Sequence, residues 1–426
     1  MEAIVFDKAN AMPAPTWHRM KTSSTTIEIP AGLDEACAVS VAATDGAFGE
    51  PDAFEAAIAQ AQAAWEETHT EPYLTTARVD EAKKDDDGLY GGTALSRYQA
   101  ASDAVGESRS LAVAFETGIS TEVYSFMREY ADEPVVITAS AGKSVQATLD
   151  VTGVDGAMNF AAVDVVAGAG SDVTLILNVD SPDGGTGVVG TSVRAFADSD
   201  ASIRIVRTQT LDDGWIDLDD MGLFTWDDAK IDVRQTILGA SNTFTGIGGD
   251  IRGNRSRMGI EARYLGHGEQ VHDINYTLRH NGAKTQCNIN SNGVLAGKSK
   301  KTLRGTIDFV RGCKGAEGTE HETVLLVDDD VENKSVPVIL CNEDDVAGIT
   351  VRLSATFAPS RCSIWQAVVF RRRRPSRCSS APCSSRPQSM LLTRQAARAF
   401  FVWQPRWSTA LTPISLKRRP KLWHTW

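Results

Sequence analysis

ASIRIVRTQT (Ala201–Thr210) and KIDVRQTIL (Lys230–Leu238) are two short runs dominated by Val, Ile and Thr. Gly, Asp, Asn and Ser punctuate the chain between such runs. Moving outward, the same texture recurs at PVVITAS (Pro134–Ser140), VTLILNV (Val173–Val179), GIEARYLGHG (Gly259–Gly268) and DINYTLRH (Asp273–His280). It continues through GTIDFVRG (Gly305–Gly312), TVLLVDD (Thr323–Asp329) and VPVILCN (Val336–Asn342). No long helical pattern separates these strands, which argues against a doubly wound α/β sheet. A sandwich, a barrel or a β-helix remains. No strict repeat is visible, so a β-helix built from this chain has irregular coils.

Upstream the texture differs. Residues 1–30 hold Pro13, Pro15 and Pro30 and read as irregular or weakly extended. EPDAFEAAIAQAQAAWEETHT (Glu50–Thr70) predicts a helix, with Pro51 in its first turn and Phe54, Ile58, Ala61 and Trp65 on one face. Val79–Gly88 is a charge run that predicts a solvated loop. Leu95–Gly118 mixes helical spacing with polar breaks and is read as helix. Residues 1–110 are therefore expected to form a mixed, partly helical N-terminal domain.

Charge is distributed unevenly. Residues 349–426 carry 15 Lys and Arg and no Asp or Glu, which leaves 28 Lys and Arg against 55 Asp and Glu in residues 1–348, a net charge of −27. A surface of that kind repels itself and stays soluble, and it argues against nucleic acid as the main partner, because phosphate binding needs clustered Lys and Arg. It suits a very salty cytoplasm, where screening weakens the repulsion. The first residues contain acids and no long apolar run, so no signal peptide is expected. No stretch reaches the roughly 18 apolar residues of a membrane span. Cys37, Cys287, Cys313 and Cys341 are scattered without a C-x-x-C and read as free thiols in a reducing compartment.

Few motifs carry chemistry. GVLAGKS (Gly293–Ser299) leaves one residue too few before Gly297 for a phosphate loop, and it sits among strands, so a surface turn is expected. TGIGGDIRG has Ile251 where a dinucleotide fingerprint needs its last Gly, and it reads as strand and turn. In an extended strand His267, Glu269 and Asp273 share one face while His272 points the other way, which makes those three the candidate metal ligands. In EHE (Glu320–Glu322) His321 faces opposite the two Glu, and a solvated strand end is expected. No nucleophile with a neighbouring base is identifiable.

The run from Asp273 to Gly348 resembles the core domain of the SufB/SufD family of iron–sulfur cluster assembly proteins. The best-matching residues are the Gly293-Val-Leu run, the Lys-rich turn after it, GTIDFV (Gly305–Val310) and PVILCNEDDVAG (Pro337–Gly348). The likeness extends more loosely back to about Leu111. It implies a mainly β chain with flanking α, a right-handed parallel β-helix core over residues 111–348, and an irregular tail over 349–426. It also implies a non-enzymatic cytoplasmic scaffold that pairs with a SufB-like paralogue and recruits a SufC-like ATPase, without nucleic acid or membrane. No cofactor is assigned to this chain alone, and an iron–sulfur cluster belongs to the assembled complex. The resemblance places the partner interface at Cys341, Asp344, Asp345 and Gly348. SufB-type members carry a functional Cys near the strand equivalent to Glu320–Val327; this chain has none there, so SufD is the better match. Two rival readings remain: a β-helix carbohydrate-active enzyme using acids such as Glu269 and Asp273, and a generic β-solenoid interaction module.

After DDVAG, family members continue Asn/Ser-His-Gly-Ala-Thr-Val-Gly, whereas here Ile349 opens ITVRLSA. ITVRLSA can be encoded ATC ACG GTG CGA CTG TCG GCC. One A restored in front turns this into AAT CAC GGT GCG ACT GTC GGC, which reads NHGATVG. Carried on to Phe370, the same shift gives NHGATVGHVRPEQVFYLASRGL. A frameshift after Gly348 is therefore expected, and it accounts for the abrupt loss of acids. It also implies that the tail lacks the family's C-terminal helical domain and pairs poorly with a SufB-like partner.

Overall fold

A computed structural model describes residues 2–13, 22–68 and 117–356. The charge run Val79–Gly88, the expected helix over 95–116 and the tail beyond Thr356 lie outside the described residues. Met1–Ala355 form one compact unit.

The unit is a parallel β-solenoid. Its strands run β6 Ser144–Thr152, β7 Ala157–Ala167, β8 Asp172–Asp180, β9 Gly187–Ala197, β10 Ser202–Gln209, β11 Trp215–Thr225, β12 Lys230–Ile237, β13 Asn242–Ile251, β14 Arg257–Gly266, β15 Val271–His280, β16 Gln286–Leu295, β17 Lys300–Phe309, β18 Ala316–Leu326, β19 Glu332–Cys341 and β20 Val346–Thr356. Even-numbered strands stack into one nine-stranded sheet and odd-numbered strands into another. Each strand thus hydrogen-bonds to the strand one full coil away. Arg207 of β10, for example, lies beside Gln235 of β12. The irregular coils expected from the sequence follow from unequal turns.

Strands β3 (Asp34–Ala36) and β4 (Val39–Ala43) join these same sheets beside β7 and β6. Within the described part of residues 1–110, these two strands belong to the solenoid, whereas β1 (Ile4–Ala9) and β2 (Thr25–Ile29) form a separate two-stranded sheet. At the other end β20 runs eight residues beyond Gly348, so the tail expected to be irregular from residue 349 begins as a strand.

The two sheets are buried differently. The even sheet alternates, as in β8, whose Val173, Leu175, Leu177 and Val179 point inward while the residues between them face solvent. The odd sheet is buried on both faces, because its outer face is covered. The hairpin of β1 (Ile4–Ala9) and β2 (Thr25–Ile29) and the helix α2 (Thr121–Glu129) lay Phe6, Ile27, Ile29, Val123, Phe126 and Met127 against Phe160, Val188, Leu218 and Phe244. Helix α1 (Ala53–Thr68) sets Phe54, Ile58, Ala61 and Trp65 against Phe196 and Phe224, the face its spacing predicts.

One corner of the solenoid is a stack of left-handed residues. Gly142, Gly170, Asp200, Asp228, Arg255, Lys284 and Gly315 all have φ between 56° and 75°. Each donates its N–H to a carbonyl of the next coil, from Gly142 to Ala169 O at 3.0 Å through Lys284 to Lys314 O at 2.8 Å and Gly315 to Asp345 O at 2.6 Å. Four of these seven positions hold a residue other than Gly; the inter-coil hydrogen bond offsets part of the roughly 1–2 kcal/mol that this conformation costs an L-residue. Asp200 and Asp228 are of the type that visits it most readily.

Candidate functional site at the C-terminal end of the solenoid

Inside the last coils, charged side chains replace apolar ones. Lys301 of β17 and Glu320 and Glu322 of β18 all point into the lumen and are buried. The Lys301 ammonium pairs with Glu322 and donates to Ser335 Oγ of β19 at 2.8 Å. Arg352 of β20 reaches back in, its Nη2 donating to Glu320 Oε1 at 3.2 Å and its Nε 3.7 Å from Glu322 Oε2. Two carboxylates and two cations therefore form a charge-balanced quartet in the last coils.

Burial sets the proton affinities. It pushes the Glu320 carboxyl up to about 7, a rise that Arg352 opposes. It pulls the Lys301 ammonium down to about 8, opposed by Glu322. His272, buried beside this group with its ring 6.1 Å from Tyr264, is held down to about 4 by the same cause. Deeper in the lumen a second network joins Arg207 to Asp217 at 2.5 Å and 3.1 Å, and Tyr276 Oη donates to Gln235 Oε1 at 2.6 Å. Asp219, linked there to Gln235, is pushed up to about 7 by burial. Such groups can hold a proton near neutrality.

EHE is corrected by this geometry. Glu320 and Glu322 face the core and His321 faces solvent, the reverse of a solvated strand end. Alternation on a strand shows which residues share a face and leaves open which face is inside. Two acids with period-two spacing next to an apolar run were the available signal for this site.

The candidate metal ligands are not brought together. His267 and Glu269 lie in the turn between β14 and β15, where the His267 N–H donates to Gln270 Oε1 at 3.1 Å. Asp273 sits within β15 on the covered face of the odd sheet. Arg304 donates to it at 2.6 Å and 3.1 Å, and Asn10 at 2.7 Å. Among the described residues no group of three or more His, Cys, Asp or Glu is placed to hold a metal. Glu269 and Asp273 are equally separated as acids for a carbohydrate-active site.

The residues assigned to the partner interface do share one place, the last coil. Cys341 ends β19 in register with Phe309, and its Sγ donates to Glu343 O at 3.2 Å. Asp344 is exposed, Asp345 receives the last bond of the left-handed stack, and Gly348 lies where a Cβ would stand 3.2 Å from both Ile339 and Phe309. Among the described residues no strand covers β19 or β20. The GVLAGKS segment is the end of β16 followed by the turn into β17, with no helix behind it.

Fold and site together define a parallel β-solenoid whose odd sheet is covered and whose last coil is open. Residues 150–350 match the family model for the SufBD core domain of SUF system FeS cluster assembly. The match spans the solenoid from β6 to the first half of β20. It supports membership of the SufB/SufD family and involvement in SUF iron–sulfur cluster assembly. No curated protein matches the chain. No helix among the described residues is long and apolar enough to cross a membrane.

Proposed function

We propose that this chain is a SufD-type scaffold subunit of cytoplasmic SUF assembly, which pairs with a SufB-like paralogue through its open last coil and works with a SufC-like ATPase. The observation that carries this reading is the family match over the solenoid. The SufD assignment is supported by Glu320–Val327, which contains no Cys. The chain acts as a scaffold in this reading, with nucleotide hydrolysis in its ATPase partner and the iron–sulfur cluster as cargo. Co-expression with SufB-like and SufC-like proteins tests it. The expected result is a complex that carries iron and sulfide under anaerobic conditions when the reading frame is intact. Failure of an intact-frame chain to bind either protein overturns the reading.

We further infer that the frame is broken after Gly348. The alternation of β20 supports this. Gly348 and Arg352 face inward, so Thr350 and Ser354 do as well, while Ile349, Val351 and Leu353 face solvent at 54 %, 48 % and 60 % exposure. The strand is inside out, with polar residues toward the lumen and apolar ones toward water. The restored reading NHGATVG reverses this, giving histidine, alanine and valine inward at 350, 352 and 354 and asparagine, glycine and threonine outward. The family match also ends at residue 350. Deep sequencing across codon 348, with intact-mass measurement of the native protein, decides the matter. An unbroken read into Ile349 together with the mass of the 426-residue chain refutes the inference.

A further inference from the structure

We propose that the lumen holds a file of bound water that links its two buried charged networks, Arg207–Asp217–Asp219 and Lys301–Glu322. Two polar rows line it. On the odd sheet Asp217, Thr243, His272, Lys301 and Asn333 stand in direct register on β11, β13, β15, β17 and β19. On the even sheet Arg207, Gln235, Ala262, Ser291 and Glu322 do the same on β10, β12, β14, β16 and β18. The rows touch at both ends, where Arg207 is bound to Asp217 at 2.5 Å and 3.1 Å and Lys301 is bound to Glu322. Thr243 and His272 therefore confront Ala262 and Ser291 in the coils between. Thr245 and Tyr264 occupy the next inward positions of β13 and β14.

The side chains between the two networks are fully buried and polar, and the protein does not serve them. Thr243 Oγ1, Thr245 Oγ1, Tyr264 Oη, Ser291 Oγ and both ring nitrogens of His272 have no hydrogen-bond partner among the described residues. They are also near one another. The Tyr264 and His272 rings lie 6.1 Å apart, and Tyr264 Oη stands close to Ser291 and Glu322 without a hydrogen bond to either. The Leu265 carbonyl is near the His272 ring and can serve one of its nitrogens at most. Six unmet buried groups would together cost as much as the whole net stability of a typical domain, so they need a partner.

Chemistry fixes the occupant. It must donate and accept, because hydroxyls and a neutral imidazole do both. It must carry no net charge, since Arg207 and Lys301 each already have a carboxylate and burial keeps His272 neutral near pH 7. It must be small, because close-packed Val, Ile and Leu surround the rows. Water meets all three conditions, and the short side chains of Thr243, Ala262 and Ser291 leave it room. The odd row continues to half-buried Asn333, whose Oδ1 is likewise without a partner among the described residues, so the file reaches the surface at β19. No residue beyond Gly348 takes part, and the file does not depend on the SUF reading.

High-resolution crystal structures of the full 426-residue chain and of two variants test the proposal. Each buried water makes two to four hydrogen bonds, so the six atoms are expected to share about two or three waters. Thr243→Val/Thr245→Val keeps the side-chain shape and is expected to lose the waters that touch those hydroxyls while the coils stay in place. Ser291→Ala removes a single oxygen, and it is expected to lose the water beside Tyr264 even if the double variant fails to fold. Density in which the six atoms bond only to protein groups overturns the proposal. An ion in the stripe, or the same waters retained in either variant, overturns it as well.

Discussion

Glu322→Gln isolates what the buried quartet contributes to the fold. The Lys301 ammonium is fully buried and has two partners, the Glu322 carboxylate and Ser335 Oγ. Removing the charge of Glu322 leaves an ammonium in the lumen with a neutral amide and a hydroxyl. Breaking a buried pair from one side costs about 3–5 kcal/mol, because the remaining charge stays desolvated. The double variant Lys301→Met/Glu322→Gln removes both charges and is expected to recover most of that loss. pH supplies a second signature. Lys301 is held down to about 8 by burial even with Glu322 present, and without it the value falls further. A lysine depressed in this way contributes stability above its ordinary value near 10.5 and loses it as pH falls through the folded value. The deficit of Glu322→Gln therefore shrinks between about pH 7 and pH 9.5 as the ammonium is neutralised. Urea unfolding followed by circular dichroism at the two pH values measures both effects. A loss below about 1 kcal/mol at pH 7, or a double variant as unstable as the single, refutes the reasoning.

Gly170→Ala meets no atom within 4 Å, so its cost is the left-handed backbone alone, and a loss of roughly 1 kcal/mol is expected in the same assay. Gly246→Ala differs, because its Cβ would stand 2.2 Å from the backbone of Gly118. It is expected to push residues 117–119 off Asp220, which accepts from Thr117, Gly118 and Ile119, and to expose α2 to limited proteolysis. Burial holds His272 down to about 4, so its contribution is complete above the ordinary value near 6.5 and is lost as pH falls through 4; His272→Leu is expected to lower the acid midpoint of unfolding by a few tenths of a pH unit or more. With 55 Asp and Glu in residues 1–348, thermal stability is expected to rise from low to multimolar salt, and a flat salt dependence would contradict the surface-repulsion account.

Much was local and therefore legible. The face Phe54, Ile58, Ala61 and Trp65 of α1 follows from helical spacing, and its burial against Phe196 and Phe224 is what that spacing predicts. The β runs and their turn residues follow from propensity, and the gathering of Cys341, Asp344, Asp345 and Gly348 follows from their nearness in sequence. Asp273 was misplaced because its partners are distant. Arg304 is one coil away, 31 residues on, and Asn10 is 263 residues back. The metal trio failed for a local reason, since the strand assumed to continue through His267 and Glu269 turns there.

By itself the sequence determined strand texture, turn positions, the acidic surface and the residue at which that acidity stops, because each depends on composition or on spacing within a few residues. Only the tertiary structure decided which face of each strand is inside. Coils about 30 residues long bring together side chains that no local window contains, so Glu320 and Glu322 meet Lys301 and Arg352 only once the coils are stacked. The same stacking exposed the inside-out alternation of β20, because inward and outward acquire meaning only when β18 lies beside it.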